Sequence, residues 1–381
     1  MVSAPPHIQS DYDQFISRQF GTVVLQPTTL CPWACDYCYL TTTDRNHTMD
    51  IGVASAVAES IRLQQAPGPI NVIWHGGEPL ALGADRFERL LAPFETLRRE
   101  GSVSHTVQTS AGLITPRWCE LLRAHDIAVG VSIDGPPWAN VRRRDKSGRS
   151  THERTMTGID ILREHMLEFT VIAVVTPETI NHADTLIDFF EELSPARLGF
   201  NLEEHEGANT RRPPIDREAA LQFWYTLFRR SHSGTDLRLR DTDRLLSYLR
   251  GARNGNEKEK SALHDPIPTV SWSGDTVLLS PELAGIHAPE YGDFIVGNVL
   301  RESLPSILQG AHRFKYVDEF VRALSSCAGG CEFYDFCKGA QAGNRYFEHG
   351  RFTETETSYC VNTRQSLVRA LEKYLLQGME P

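Results

Sequence analysis

The sequence predicts an α/β protein, with a parallel sheet curled into a partial (β/α)6 barrel and then a small cysteine-rich region of a β-hairpin and short helices. Three observations predict it. From residue 21 onward, short apolar runs alternate with amphipathic helical runs, the pattern of βα units. Six such units precede a stretch rich in Gly, Asn and Lys, Gly251 to Ser261. The cysteines gather in two groups: Cys31, Cys35 and Cys38 directly after the first strand, and Cys327, Cys331, Cys337 and Cys360 near the end.

The strands are expected at Thr22–Gln26, Ile70–Trp74, Ser104–Thr109, Ala128–Ile133, Phe169–Val175 and Arg197–Asn201. The first helix starts at Asp50, a side chain suited to an N-cap, and runs to about Leu63 before the Pro67-Gly68-Pro69 break. Further helices are expected at Arg86–Leu97, Pro116–Ala124, His152–Glu164, Asn181–Leu193 and Asp216–Arg230. Thr269 to Leu279 reads as a hairpin turning on Ser273-Gly274-Asp275, followed by a helical stretch to about His312. The boundaries are then an N-terminal arm at 1–20, the barrel at 21–250, a linker at 251–265, the cysteine-rich region at 266–362 and a C-terminal helix at 363–381.

Composition narrows the function. A chain of 381 residues holds one large domain plus an appendage, and 40% hydrophobic with 23% charged residues are ordinary globular values. A net charge of -10, with Arg142-Arg143-Arg144 as the densest basic stretch, argues against a nucleic-acid partner. No run of about 18 apolar residues occurs, and Met1-Val2-Ser3-Ala4-Pro5-Pro6 lacks the signal-peptide pattern. The expectation is a cytoplasmic protein with no membrane partner. Thiols stay reduced there, so eight cysteines point to metal sites rather than disulfides. Two sites account for seven of them, and Cys119, inside the helical run Trp118–Leu122, is expected to be a core thiol.

Ligands of parallel α/β folds bind at the carboxyl ends of the strands. After strand one, three thiolates within eight residues can wrap one face of a 4Fe-4S cube and leave the fourth iron without a protein ligand. A zinc knuckle is the alternative, although zinc sites usually come as CxxC pairs with a fourth ligand in reach. Strand two leads into His75-Gly76-Gly77-Glu78-Pro79, where glycines allow close backbone approach and Glu78 offers a carboxylate to a cation. Strands three and four end in Gln108-Thr109-Ser110 and Ser132-Ile133-Asp134-Gly135-Pro136, and strand five in Val174-Val175-Thr176. Strand six enters Asn201 to Gly207, where carboxylates at a barrel mouth are costly without a charged partner or a proton to move. Glu204 is the candidate base; a solvated acidic loop is the alternative.

Cys31-x3-Cys35-x2-Cys38 with Tyr37 as the aromatic resembles the CxxxCxΦC signature of the radical S-adenosylmethionine (radical SAM) enzymes. Gly76 to Pro79, Gln108 to Ser110 and Ser132 to Pro136 are similar to the GGEP, QTS and S-I-D-G-P elements of the branch that includes anaerobic sulfatase maturases and peptide-modifying enzymes. The resemblance implies a SAM-binding 4Fe-4S cluster on the first three cysteines. It also implies SAM contacts from Tyr37, Gly76, Gly77, Glu78, Pro79, Gln108, Ser110, Ser132, Arg144 and Val175. Ser132 and Arg144 would hold its ribose and carboxylate. Asn140-Val141 stand where the family has His-Asp, which leaves either Arg143 or Arg144 as the contact.

The second cysteine group resembles the SPASM domain, without its first set of cysteines and with Gln341 where another cysteine is usual. What remains implies one auxiliary 4Fe-4S cluster on Cys327, Cys331, Cys337 and Cys360, with zinc as the alternative. Together with Ser280 to Leu283, the Asn201 to Gly207 loop and Gly343-Asn344-Arg345, the layout is most similar to cyclophane-forming maturases of ribosomal peptides. That resemblance implies hydrogen abstraction from a side-chain Cβ of a precursor peptide and a carbon–carbon bond to an aromatic ring. An electron donor such as a flavodoxin or ferredoxin would be a further partner. The alternatives are an anaerobic sulfatase-type maturase making formylglycine, a peptide epimerase or thioether synthase, and, outside catalysis, an iron–sulfur sensor or zinc-binding protein.

Overall fold

The computed structural model describes residues 11–40, 46–232, 234–255 and 262–377. Parts of the expected arm (1–10), linker (256–261) and C-terminal helix (378–381) lie outside the described residues. Among the described residues one sheet of nine strands carries the fold, in the order β6-β5-β4-β3-β2-β1-β7-β8-β9. The first six are β1 (Thr22–Leu25), β2 (Ile70–Trp74), β3 (Val103–Thr109), β4 (Ile127–Ser132), β5 (Phe169–Val175) and β6 (Arg197–Leu202). Each pairs in parallel with its sequence neighbour, so the βα units predicted from the alternating pattern form an α/β sheet with helices between the strands.

Period-two alternation decides which side chains reach the inner face. In β3, Val103, His105, Val107 and Thr109 are buried while Thr106 and Gln108 keep accessible surface. In β4 the same alternation leaves Ser132 part-exposed at the carboxyl end. Polar residues on this face bond to one another across strands, Thr106 Oγ1 donating to Asn71 Oδ1 at 3.0 Å and Gln108 Nε2 to Ser132 Oγ at 2.8 Å.

The helices follow their capping signals. Asp50 accepts from Gly52 N at the start of helix Ile51–Gln64, and Thr115 accepts from Trp118 N ahead of Pro116 in helix Pro116–Ala124. The continuous helix expected over Arg86–Leu97 is instead two, Ala84–Leu91 and Glu95–Arg99, joined by a 3₁₀ turn at Ala92–Phe94. Pro93 has no N–H to give to the preceding turn, so the α-helical ladder is interrupted there. Helix Arg240–Arg253 was not anticipated; it docks through Asp241, which accepts from Phe200 N at 3.2 Å.

The hairpin does not stand apart from the barrel. Its strands β7 (Thr269–Val270) and β8 (Asp275–Val277) turn at Gly274, whose φ is +90°, and β9 (Gly297–Asn298) adds beyond them. Strand β7 pairs in parallel with β1, Val270 opposite Leu25, so the hairpin covers an edge that would otherwise present unpaired backbone groups. A helix at Ser366–Gln377 closes the far side against helix Arg217–His232, where Trp224 Nε1 donates to Asn362 O at 2.7 Å. One hydrophobic core, running from Tyr12 to Leu371, joins these parts. Cys119 is fully buried in it. No helix among the described residues is long and apolar enough to cross a membrane.

Candidate active site

The cysteine loop leaves the carboxyl end of β1 and is fastened on three sides. Glu78 N donates to Leu30 O at 2.9 Å, Ala34 N to Arg144 O at 2.7 Å, and Trp33 Nε1 to Ser110 Oγ at 2.6 Å. Gly77, at φ +62°, lies directly under the loop, where a Cβ would stand 2.6 Å from Thr28 O and 2.7 Å from Leu30 O. At Gly76, with φ +100°, a Cβ would stand 2.7 Å from Gln26 Cγ. What approaches these glycines is therefore the cysteine loop itself. Gly77→Ala is expected to lower stability by more than about 1 kcal/mol, because both the positive φ and the carbonyl contacts oppose a methyl group. It should also reduce the iron retained after anaerobic reconstitution; urea unfolding and iron analysis check the two effects.

Cys31, Cys35 and Cys38 are free and part-exposed, and each lies within electrostatic range of another of the three. Burial pushes the Cys31 and Cys38 thiols up and raises Cys35 to about 11, while Arg143 pulls Cys35 and Cys38 back toward the thiolate. Three soft donors on one short loop, beside one fixed cation, suit a 4Fe-4S cluster that keeps one iron free of protein ligands.

The expected cofactor contacts fall at neighbouring strand ends. Tyr37 stands on the cysteine loop, Gly76, Gly77, Glu78 and Pro79 after β2, Gln108 and Ser110 at β3, Ser132 at β4 and Val175 at the end of β5. Two of them have other duties. Glu78 is buried, and its carboxylate accepts from Thr109 Oγ1 at 2.7 Å, Leu80 N at 3.3 Å, Ser110 N at 2.9 Å and Ser110 Oγ at 2.7 Å. A carboxylate offers about four acceptor positions, and all are taken. Its side chain thereby fixes the end of β3. Ser110 passes this anchorage on, donating to Glu78 and accepting from Trp33.

Arg143 and Arg144 part company. Arg143 is drawn inward, its Nε donating to Asp134 Oδ1 at 3.0 Å and its guanidinium 5.4 Å from the Tyr37 ring centroid. Arg144 holds the cysteine loop by its backbone and extends its side chain outward, Nε donating to Val141 O at 2.8 Å. Asp134 also accepts from the Tyr37 hydroxyl and, at 2.9 Å, from Val174 N, so one carboxylate ties the cysteine loop to β4 and β5. Asn140 takes part where the related pattern has His, its Oδ1 accepting from Asp134 N at 3.0 Å.

Beyond Cys38 the loop meets a largely buried group of carboxylates, called here the acidic cleft. Ala208 N donates to Tyr39 O at 3.0 Å, and Gly207 is needed because a Cβ would fall 2.0 Å from that oxygen. Tyr39 also places its hydroxyl 3.0 Å from His75 Nε2. Glu204 and Glu206 from this loop share the cleft with Glu282 and Glu348, and Asn344 Nδ2 donates to both Glu204 and, at 3.0 Å, Glu206. Burial, then the neighbouring carboxylates Glu282 and Glu348, hold Glu204 well above the usual carboxylate range. Glu206 and Glu282 fall in the stretches Asn201 to Gly207 and Ser280 to Leu283 singled out in the sequence, but without a role of their own, and Glu348 was not singled out; spacing alone does not link Glu204 to a residue 140 positions away, the separation at which Asn344 bonds it.

Cys327, Cys331, Cys337 and Cys360 line a single cavity with Arg345. Arg345, itself buried, donates from Nη2 to Cys327 Sγ at 3.6 Å and to Gly339 O at 3.1 Å. Four thiols around one cavity beside a buried cation fit a fully cysteine-ligated cluster.

The comparisons agree with this geometry. The Radical SAM superfamily profile matches residues 25–190. An uncharacterized Synechocystis protein, sll1766, is 30% identical over 371 residues, covering 93% of this chain and 92% of that one. A serine-type anaerobic sulfatase-maturating enzyme of Klebsiella aerogenes is 34% identical over 186 residues, which span 48% of this chain and 46% of that enzyme. Among solved structures, native anSMEcpe with bound AdoMet and Cp18Cys peptide superposes with a TM-score of 0.74 at 20% identity, covering 93% of this chain and 98% of that one. With a cysteine loop at the head of a parallel α/β sheet, a matching profile and a relative aligned over nearly the whole length, the chain belongs to the radical SAM superfamily of enzymes.

Proposed function

We propose that the protein is a peptide maturase that joins a side-chain Cβ of a ribosomally made precursor peptide to an aromatic ring carbon. The observation that carries this reading is the acidic cleft, which adjoins the cysteine loop through Tyr39 and the second cysteine group through Asn344 and Arg345. The anSMEcpe structure with a bound peptide supports a peptide as the occupant. Cys31, Cys35 and Cys38 would hold a SAM-binding cluster, which when bound would supply radical chemistry able to take a hydrogen atom from an unactivated carbon. Gln108 and Ser132 stand together at the ends of β3 and β4, where SAM would be held, with Val175 and Arg144 as further proposed contacts.

The reaction balances as a two-electron oxidation of the peptide. One hydrogen atom would leave Cβ for the bound cofactor, the Cβ–aryl bond would form, the ring would give its proton to Glu204, and one electron would depart. An auxiliary cluster on Cys327, Cys331, Cys337 and Cys360 would accept that electron. A ferredoxin or flavodoxin would supply the electron that SAM cleavage consumes. Burial, then Glu282 and Glu348, raise the proton affinity of Glu204, so it would take the ring proton from its ionised form and hold it firmly.

A second reading, oxidation of Ser or Cys to formylglycine, is favoured by the match to the Klebsiella aerogenes enzyme. Co-expression with candidate precursor peptides, followed by tandem mass spectrometry, separates the two. The crosslink predicts loss of two hydrogens localised to an aromatic residue and a near neighbour; an oxidised Ser or Cys would overturn it in favour of the second reading.

A further inference from the structure

We propose that Arg345 sets the reduction potential of the auxiliary cluster: its buried, carboxylate-free guanidinium favours the reduced form of a cluster on Cys327, Cys331, Cys337 and Cys360, and so makes that site the electron acceptor. The proposal rests on the peptide-maturase reading and deepens it by naming the side chain that lets the second thiol site take the electron.

Arg345 belongs to helix Ala342–His349, is only 3% exposed, and lines the cavity that all four cysteines share. Its Nη2 donates to Cys327 Sγ and to Gly339 O, while Nη1 is buried with no acceptor among the described residues. The guanidinium carbon stands 4.7 Å from the Phe320 ring centroid, so an apolar ring covers that side. Its hydrogen bonds thus go to a thiol and a carbonyl, and to no carboxylate. A buried cation is costly unless an opposite charge meets it. Here burial works against the charge, and Cys327, Cys337 and Cys360 are the groups that favour it. The counter-charge of Arg345 is therefore the ligand set itself.

The first thiol site is built differently. Arg143, the cation beside Cys35 and Cys38, gives its Nε to the buried Asp134 carboxylate at 3.0 Å, so the pair brings no net charge to that loop. Arg345 brings a whole positive charge, in surroundings where charge is weakly screened. Cluster potentials follow net charge, hydrogen bonds to the sulfurs and exposure to water. A cluster gains one negative charge on reduction, so a fixed cation and N–H donors at its sulfurs favour the reduced form. Gln365 Nε2, 3.5 Å from Cys360 Sγ, is a second such donor, and the unspent N–H groups of Arg345 Nη1 would serve a sulfur of the bound cluster. The step moves one electron from the peptide to the cluster, oxidising the first and reducing the second, while the ring proton goes to Glu204 as above. The two sites thus differ in charge in the direction that sends an electron to the second.

The test uses the full-length chain carrying Cys31→Ala, Cys35→Ala and Cys38→Ala, anaerobically reconstituted so that the second site alone holds a cluster. Its reduction is followed by potentiometric titration with redox mediators, read by electron paramagnetic resonance. Adding Arg345→Met, which removes the charge and every donor, is expected to lower the ratio of reduced to oxidised cluster at least about tenfold at a fixed potential, a midpoint shift of about 59 mV for one electron. Arg345→Lys, which keeps the charge, should recover at least about half of that shift. Arg345→Gln repeats the neutral comparison with a side chain that still donates. An unchanged midpoint in both neutral variants at about four irons per chain, a lysine variant as low as the methionine one, or a parent chain with no reducible cluster overturns the proposal. Loss of iron from both neutral variants overturns it as well, because Arg345 would then retain the cluster rather than tune it. The crosslinking reading is judged separately, on product mass: a peptide two hydrogens lighter, made by an enzyme whose midpoint ignores Arg345, would keep the reaction and remove this role.

Discussion

Cys35→Ala is expected to reduce 5′-deoxyadenosine formation from SAM to the uncatalysed background under dithionite, measured by anaerobic chromatography. Cys35 is the middle thiol of the loop, and Arg143 is the neighbour that most favours its thiolate. With two thiolates left, the cluster loses a ligand that no other side chain on the loop can replace. The loss should be total rather than graded, because every later event depends on that first bond cleavage. Two companion variants make the result specific. Cys331→Ala should keep SAM cleavage and lose conversion of peptide to product, since Cys331 lines the other cavity. Cys119→Ala should leave both intact, because that thiol is packed in the core between helix and sheet. Background cleavage in Cys119→Ala, or full cleavage in Cys35→Ala, would contradict the assignment of the first loop.

The second large effect is expected at Asp134. Its side chain is 0% exposed and that of its partner Arg143 11%, so the pair is buried. Asp134→Ala would leave the Arg143 guanidinium without its counter-charge and the Tyr37 hydroxyl and Val174 N–H without an acceptor. Breaking a buried ion pair by removing one partner costs about 3–5 kcal/mol, and this one is further braced by neutral donors. Equilibrium urea unfolding of the metal-free protein should show that loss. Asp134→Asn should recover part of it, because an amide oxygen can still accept. A cost below about 1 kcal/mol for Asp134→Ala would mean that Arg143 finds another partner, and that the cysteine loop is held chiefly by Trp33 and Gly77.

How much of this was legible beforehand follows from the range of each interaction. Local signals carried the strands and most helices: Asp50 caps as its type suggests, and Gln108 and Ser132, singled out at the ends of strands three and four, do stand side by side there. The break at Pro93 was visible in principle and was overridden by the amphipathic pattern around it. Helix Arg240–Arg253 was missed because its charged composition resembles the linker that follows. At Glu78 a sequence shows that a carboxylate is present but not its protein donors, which come from the far end of β3 and from its own turn. The acidic cleft was illegible for the same reason on a larger scale. Its members come from three distant segments, and only the folded chain makes them adjacent.

The pairing of β7 with β1 has a mechanical meaning. Leu25 stands opposite Trp74 on one side and Val270 on the other, and Leu278 just beyond β8 is bonded through its N–H to the Tyr316 hydroxyl at 3.1 Å. The same short strand therefore serves as a common rail for both thiol clusters. Electron transfer slackens steeply as a gap widens, so a span set by backbone ladders would be the same in every turnover.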